Sequence, residues 1–177
     1  MKKYYFVIIF IGSSFIFFSC KKSKIIEDQL PPITQVGANT FGCLINGKLY
    51  TPKGFEQNKP NFDMIVDPNN NGNVDIRTFR KDGLKTSSLS FSCFNIFSSD
   101  IFILPFSDIF PNYIDDINSN VCYFVSSQNN FRKGSLKITR YDLTNKIISG
   151  TFEFTLFDST ISCDTIHITQ GRFDKKF

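Results

Sequence analysis

The stretch Ile147-Ile148-Ser149-Gly150-Thr151-Phe152-Glu153-Phe154-Thr155-Leu156 decides the fold class of this chain. From Thr151 to Leu156, polar and apolar side chains strictly alternate. Because successive residues of an extended strand point to opposite faces, this pattern predicts a strand with one wet and one dry face. Such clean alternation is typical of antiparallel sheets.

The same pattern extends outward from this stretch. Residues 135–141 and 165–169 also alternate, and Asn46-Gly47 joins the apolar runs 41–45 and 48–50 as in a tight hairpin. Further short apolar runs occupy residues 62–66, 74–79, 89–97, 101–104 and 121–125, whereas residues 107–120 are interpreted as a polar, irregular loop. No long segment has helical spacing, so we predict an all-β antiparallel sandwich of about 8 to 10 strands, with a β-barrel as the alternative.

The N-terminus has the pattern of an export signal. Lys2 and Lys3 precede an apolar run from Tyr4 to Phe18, which is shorter than the roughly 20 residues of a membrane-spanning helix. Ser19-Cys20 ends the run, as in the lipobox of bacterial lipoproteins, although Phe17 stands where leucine is usual. An uncleaved signal anchor with an incidental cysteine is the alternative.

The lipobox interpretation predicts that Cys20 carries lipid, including a fatty acid such as palmitate, and becomes the first residue of the mature chain. The bilayer would then be a partner through that lipid. Lys21 follows in place of the aspartate that commonly retains such proteins at the inner membrane, which favours the outer membrane. The domain could face the periplasm or the cell surface.

The rest of the chain has the size of one domain. We predict a signal peptide over residues 1–19, a lipidated terminus with a flexible stem over 20–39, and a single β domain over 40–177. Without Lys2 and Lys3, 18 of the 20 basic residues remain against 16 acidic ones, a net charge of +2. Because the basic residues are scattered, nucleic acid is not an expected partner. No protein or glycan partner is indicated.

One polar loop resembles a calcium-binding loop. Asp67, Asn69, Asn71 and Asp75 supply oxygens at positions 1, 3, 5 and 9, and Gly72 stands at position 6. However, Thr78 occupies the position of the usual bidentate carboxylate, and the flanks are strand-like. The alternative is a hairpin loop, in which asparagine and glycine serve the turn.

Catalytic signals are weak. A glycan hydrolase would need two carboxylates converging from separate strands, for example from among Asp63, Asp75, Glu153 and Asp174. His167 is the single histidine, lies on a polar strand face and has no nucleophile motif beside it. We therefore expect no enzymatic activity.

The segments Thr40–Lys48, Ile148–Phe154 and Cys163–Asp174 together resemble a family of uncharacterised Bacteroidota lipoproteins, known as a domain of unknown function. By themselves, the four cysteines left after Cys20 allow two disulfides in any of three pairings. The resemblance implies a Cys43–Cys163 bridge, which leaves Cys93 and Cys122 as the second pair. It implies no activity.

Taken together, the sequence predicts a membrane-anchored lipoprotein whose domain is a non-enzymatic binding or structural module of the cell envelope. A calcium-dependent adhesion module and a carboxylate-based hydrolase are the alternatives.

Overall fold

The computed structural model describes residues 29–104, 109–115, 122–124, 130–158 and 163–177. These residues form eleven strands and no helix. In chain order, the strands are β1 (Thr40–Ile45), β2 (Lys48–Tyr50), β3 (Phe62–Asp67), β4 (Asn73–Asp82), β5 (Lys85–Cys93), β6 (Ile101–Leu104), β7 (Ile109–Asp115), β8 (Cys122–Phe124), β9 (Asn130–Asp142), β10 (Ile147–Asp158) and β11 (Ile166–Lys176).

The strands form two antiparallel sheets that pack face to face. Sheet A has the order β2-β1-β11-β10-β9-β6, and sheet B has the order β3-β4-β5-β7-β8. No ladder joins the two sheets within the described ranges. The predicted antiparallel sandwich is therefore confirmed over the barrel alternative, with one strand more than the upper end of the expected range.

The core lies between the sheets and is rich in phenylalanine. Phe91 of sheet B contacts Phe152 and Phe154 of sheet A at ring-centroid distances of 5.0 and 5.4 Å. Phe152, Phe154 and Leu156 are buried on one face of β10, and Glu153 is exposed on the other. The alternation of β10 thus has the orientation predicted from the sequence.

The first hairpin also follows its sequence. Ile45 pairs with Lys48 across Asn46-Gly47, and both turn residues have positive φ values, 47° and 76°. This conformation costs little for asparagine and glycine. β1 next pairs with β11, so the start and the end of the domain lie side by side in sheet A.

The interpretation of residues 107–120 as a loop was wrong for residues 109–115. These residues form β7, an interior strand between β5 and β8, in which Ile109, Pro111 and Tyr113 are buried. Pro111 lacks an amide hydrogen and is therefore unusual in an interior strand. The polar residues around Pro111 concealed the alternation of buried and more exposed positions along this short strand.

Candidate functional site

Residues 29–39 lie on the outer face of sheet A, and we call this segment the strap. Its chain passes over Gly42 of β1 and reaches β9, where Arg140 donates a hydrogen bond to the carbonyl of Gln35. The strap then returns to β11, where the amide of Lys176 donates to the side-chain oxygen of Asn39 at 3.3 Å. Part of the predicted stem is therefore bound to the domain, while residues 20–28 lie outside the described residues.

Asp174 of β11 is the main attachment point of the strap. Its carboxylate accepts the Thr34 hydroxyl at 2.6 Å and the backbone amides of Val36, Gly37 and Ala38 at 2.9, 2.8 and 3.1 Å. The hydroxyl of Ser149 on β10 donates a fifth hydrogen bond at 2.8 Å. Three successive amides pointing at one anion form a backbone nest, and the φ of +75° at Gly37 helps to create it.

The hydrogen bonds stabilise the charged form of Asp174 although the residue is only 1% exposed. Burial by itself raises the pKa of this carboxyl group. The hydrogen bonds, led by those from Thr34 and Ser149, outweigh burial and lower the pKa to about 2. An anionic Asp174 therefore fixes the strap at neutral pH.

Close packing reinforces this attachment. Arg172 donates to the Pro31 carbonyl at 3.3 Å. A Cβ atom on Gly42 would lie 2.6 Å from Cδ of Pro31, so the strap sits where only glycine leaves room. The strap was predicted to be part of the flexible stem, because no local pattern shows which distant strand a segment with two successive prolines contacts.

The predicted calcium loop forms the hairpin between β3 and β4. Asp67 pairs with Asn73, and the Asp67 carboxylate accepts the Asn69 amide at 3.0 Å, as in an Asx turn. Asp75 lies on β4, where its two carboxylate oxygens accept hydrogen bonds from Arg77 and, at 3.1 Å, from Ser92. These contacts favour the hairpin interpretation, because both carboxylates already serve protein donors.

Asn71 also has a structural contact. Its backbone carbonyl accepts the amide of Asn95 at 2.7 Å, which ties the hairpin to the chain after β5. Among the described residues, no group of three or more histidine, cysteine or acidic side chains is placed to hold a metal ion.

The four candidate carboxylates do not converge as one group, because Glu153 is exposed on sheet A and Asp174 is covered by the strap. Asp63 and Asp75 lie on the neighbouring strands β3 and β4 of sheet B, where the Asp75 carboxylate is bonded to Arg77 and Ser92. His167 is exposed on β11, and its ring contacts the Thr155 hydroxyl at 3.4 Å. Asp75 is thus already engaged by Arg77 and Ser92, Asp174 is engaged by the strap, and His167 contacts a threonine hydroxyl.

Open cavities lie on the surface of the sandwich. A groove of about 370 Å³ runs beside the strap and is lined by Ile33, Ile101, Lys137, Glu153 and Arg172, among others. A cleft of about 320 Å³ lies at an end of the sandwich, where Tyr113 donates a hydrogen bond to Asp115 at 3.1 Å. Burial raises the pKa of Tyr113 strongly, so this hydroxyl acts as a neutral donor.

The predicted disulfide pairings were wrong. Cys122 is bonded to Cys163 with a Cα–Cα distance of 6.1 Å, and Cys43 and Cys93 are buried thiols that are not joined in a disulfide. Ile45 of β1 pairs with Ile168 of β11. From this pair, Cys43 lies two residues earlier along β1, and Cys163 lies five residues earlier along the chain that leads into β11. Because the two strands are antiparallel, these directions are opposite, so the two cysteines are on the order of 20 Å apart. A disulfide requires Cα atoms within about 7 Å.

The second predicted pair is separated in the same way. Cys93 pairs with Ile109 at one end of β7, and Cys122 pairs with Asp115 at the other end. Burial raises the pKa of the Cys43 thiol, so it is held as a neutral core side chain.

Cys20, the predicted lipid site, lies outside the described residues. No helix within the described ranges is long and apolar enough to cross a membrane. Comparisons with protein-family models, with curated proteins and with solved structures found no match to this chain. The resemblance to a lipoprotein family therefore stays a prediction.

Proposed function

We propose that this protein is a lipid-anchored lipoprotein of the outer membrane whose β-sandwich acts as a non-enzymatic structural or binding module of the cell envelope. The observation that carries the proposal is the attachment of the strap to Asp174. A chain that leaves a lipidated Cys20 would reach the domain at the strap, where five hydrogen bonds converge on one buried carboxylate.

The length of the connection supports an anchoring role. Residues 21–28 separate Cys20 from Gln29, the first described residue. At 3.3–3.6 Å per residue, this segment spans at most about 30 Å. A lipid on Cys20 would thus hold the sandwich close to the bilayer, and the strap would transmit any pull to β11, which lies between β1 and β10.

The disulfide supports an exported location. Cys122 belongs to sheet B, and Cys163 precedes β11 of sheet A, so their bond joins the two layers. Disulfides of this structural kind persist in oxidising compartments and are rare in the cytosol. The alternatives of calcium-dependent adhesion and glycan hydrolysis receive no comparable support, because the residues that they need are engaged elsewhere or lie on different sheets.

Lipid labelling of Cys20→Ser tests the anchor. The wild-type protein should incorporate labelled palmitate and sediment with membranes, whereas Cys20→Ser should lose the label and keep the mass of the uncleaved chain. Ser23→Ala, a polar change three residues away, is the matched control and should behave as wild type. Retention of label by Cys20→Ser, or its absence from wild type, would refute the proposal.

The location needs two further measurements. Density-gradient separation of the two membranes should place the protein in the outer-membrane fraction. Protease treatment of intact cells then distinguishes a surface-facing domain, which is cleaved, from a periplasmic one, which is protected.

A further inference from the structure

Two large apolar side chains stand almost fully exposed on neighbouring turns. Phe55, in the loop between β2 and β3, is 79% exposed, and Leu84, in the turn between β4 and β5, is 97% exposed. Neither side chain contributes to the hydrophobic core. Two such side chains on adjoining turns indicate a contact surface more strongly than a single exposed one would.

Backbone hydrogen bonds join the two turns. The amide of Lys81 donates to the carbonyl of Lys53 at 3.0 Å, and the amide of Lys53 donates to the carbonyl of Phe79 at 3.2 Å. Phe55 follows Lys53 by two residues, and Leu84 follows Lys81 by three. Both turns therefore project from the same end of β4.

Basic side chains surround these apolar tips. The exposed lysines are Lys53, Lys59, Lys81 and Lys85, and we call them, together with Phe55 and Leu84, the lysine-rich tip. The acidic neighbours are Glu56, 3.7 Å from the Lys59 ammonium, and Asp82, 3.9 Å from the Lys53 ammonium. Four lysines against two carboxylates leave a net positive surface around exposed hydrocarbon.

The strap begins beside this surface. Gln29 lines one cavity together with Thr51 and Asn61, which form the two ends of the loop that carries Phe55. The chain that leads towards Cys20 therefore leaves the domain at the base of the lysine-rich tip. With a reach of at most about 30 Å, that chain keeps the tip within range of the anchoring membrane.

We propose that the lysine-rich tip contacts an anionic phospholipid bilayer, with Phe55 and Leu84 entering the headgroup region and the lysines binding lipid phosphates. Apolar side chains flanked by lysine suit this interface, because the hydrocarbon leaves water while each ammonium stays beside a negative charge. This inference rests on the proposed lipid anchor and adds an orientation, since the domain would lie on the membrane by this end.

Tryptophan fluorescence tests the contact directly, because the chain contains no natural tryptophan. Phe55→Trp and Leu84→Trp are each made in the lipidated protein and reconstituted into vesicles of phosphatidylethanolamine and phosphatidylglycerol, with ordinary or brominated acyl chains. Phe97→Trp is the matched control. Phe97 is 63% exposed and follows Ile96, whose amide bonds the carbonyl of Gly72 at the opposite end of β4.

Brominated lipid should quench Phe55→Trp and Leu84→Trp and shift their emission to the blue, while Phe97→Trp should keep the emission of a water-exposed indole. Replacement of phosphatidylglycerol by phosphatidylcholine should reduce the quenching at both tip positions. Equal quenching in all three variants, or no quenching in either tip variant, would overturn the proposal.

The anchor and the tip can fail separately. Label on Cys20 without quenching at the tip would leave the lipid anchor standing and reject the tip contact. Absence of label on Cys20 would reject the anchor, and vesicle quenching in the same protein would then report the tip contact independently. Circular dichroism of each variant checks that the sandwich is intact.

Discussion

Replacement of Asp174 by alanine should release the strap from sheet A. The substitution removes the acceptor of five hydrogen bonds, three from backbone amides and two from hydroxyl groups. Asp174→Asn should also weaken the attachment. One carboxylate oxygen accepts hydrogen bonds from Thr34, Val36 and Ala38, and the other oxygen accepts those from Gly37 and Ser149. An amide replaces one of these oxygens with a donor group, so it cannot accept from both sets of donors.

The size of the effect follows from these contacts. A hydrogen bond to a charged group contributes about 1.5–3 kcal/mol, but the bonds here share one carboxylate, and the freed donors regain water when the strap lifts. We therefore expect Asp174→Ala to lower the free energy of unfolding by about 3–5 kcal/mol, as for other broken buried charge networks. Asp174→Asn should cost less, about 2–3 kcal/mol.

The pKa of Asp174 gives a separate value for the contribution of its charged form to stability and predicts how that contribution depends on pH. The pKa is lowered from 3.8 to about 2 in the folded protein. A depressed carboxyl pKa contributes stability that is present above the unfolded value and is lost as the pH falls through the folded value. The contribution, about 2 kcal/mol, should thus be complete above about pH 5 and be lost progressively as the pH falls through about 2.

Urea denaturation and amide hydrogen exchange measure these effects. Asp174→Ala should lower the urea midpoint at pH 7 and speed exchange at Val36, Gly37 and Ala38. Asp63→Asn is the matched control, because this carboxylate accepts one amide, that of the neighbouring Met64. The midpoint difference between wild type and Asp174→Ala should shrink as the pH approaches 2.

An unchanged urea midpoint together with unchanged exchange at Val36 to Ala38 would contradict this role of Asp174. A difference between wild type and variant that grew on acidification would contradict it as well. Either result would mean that Asp174 does not hold the strap through its charged form.

Three further predictions concern the strap, the disulfide and the loop. Gly42→Ala should lower the free energy of unfolding by about 1–3 kcal/mol, because its Cβ would displace Pro31, and a variant with wild-type stability in urea would contradict this. Replacing Cys122 and Cys163 together by serine should cost about 2–4 kcal/mol, and non-reducing mass spectrometry of the wild type should find these two residues in one linked peptide pair. Millimolar calcium should leave the melting temperature unchanged, since the Asp75 carboxylate is already bonded; a rise that Asp75→Asn abolishes would restore the calcium interpretation.

Alternation predicted most strands because it is a local property of the chain. β10, β11 and the β1–β2 hairpin follow directly from their side-chain pattern and turn residues. The pattern failed at β7, where the polar residues of the segment 107–120 suggested a loop. Pro111 pairs with Phe91 of β5, whereas the described pairing with β8 covers Tyr113 to Asp115, and no local pattern in the sequence shows which strands lie beside a proline.

The contacts of Asp174 with the strap could not be predicted from local sequence patterns. Asp174 was considered as a member of a catalytic pair, but its partners are the strap residues, 136–140 positions away in the sequence. A carboxylate on a strand has the same local pattern whether it faces water or a backbone nest. Only the approach of the strap to β11 distinguishes the two.

The sequence by itself determined that this protein is built from antiparallel strands with one apolar face, because side-chain alternation and turn chemistry act over a few residues. Only the tertiary structure decided that Cys122 bonds Cys163 and that Asp174 holds the strap. These contacts depend on which strands become neighbours and in which register. That choice is made by burial of the shared core, which joins residues far apart in the chain.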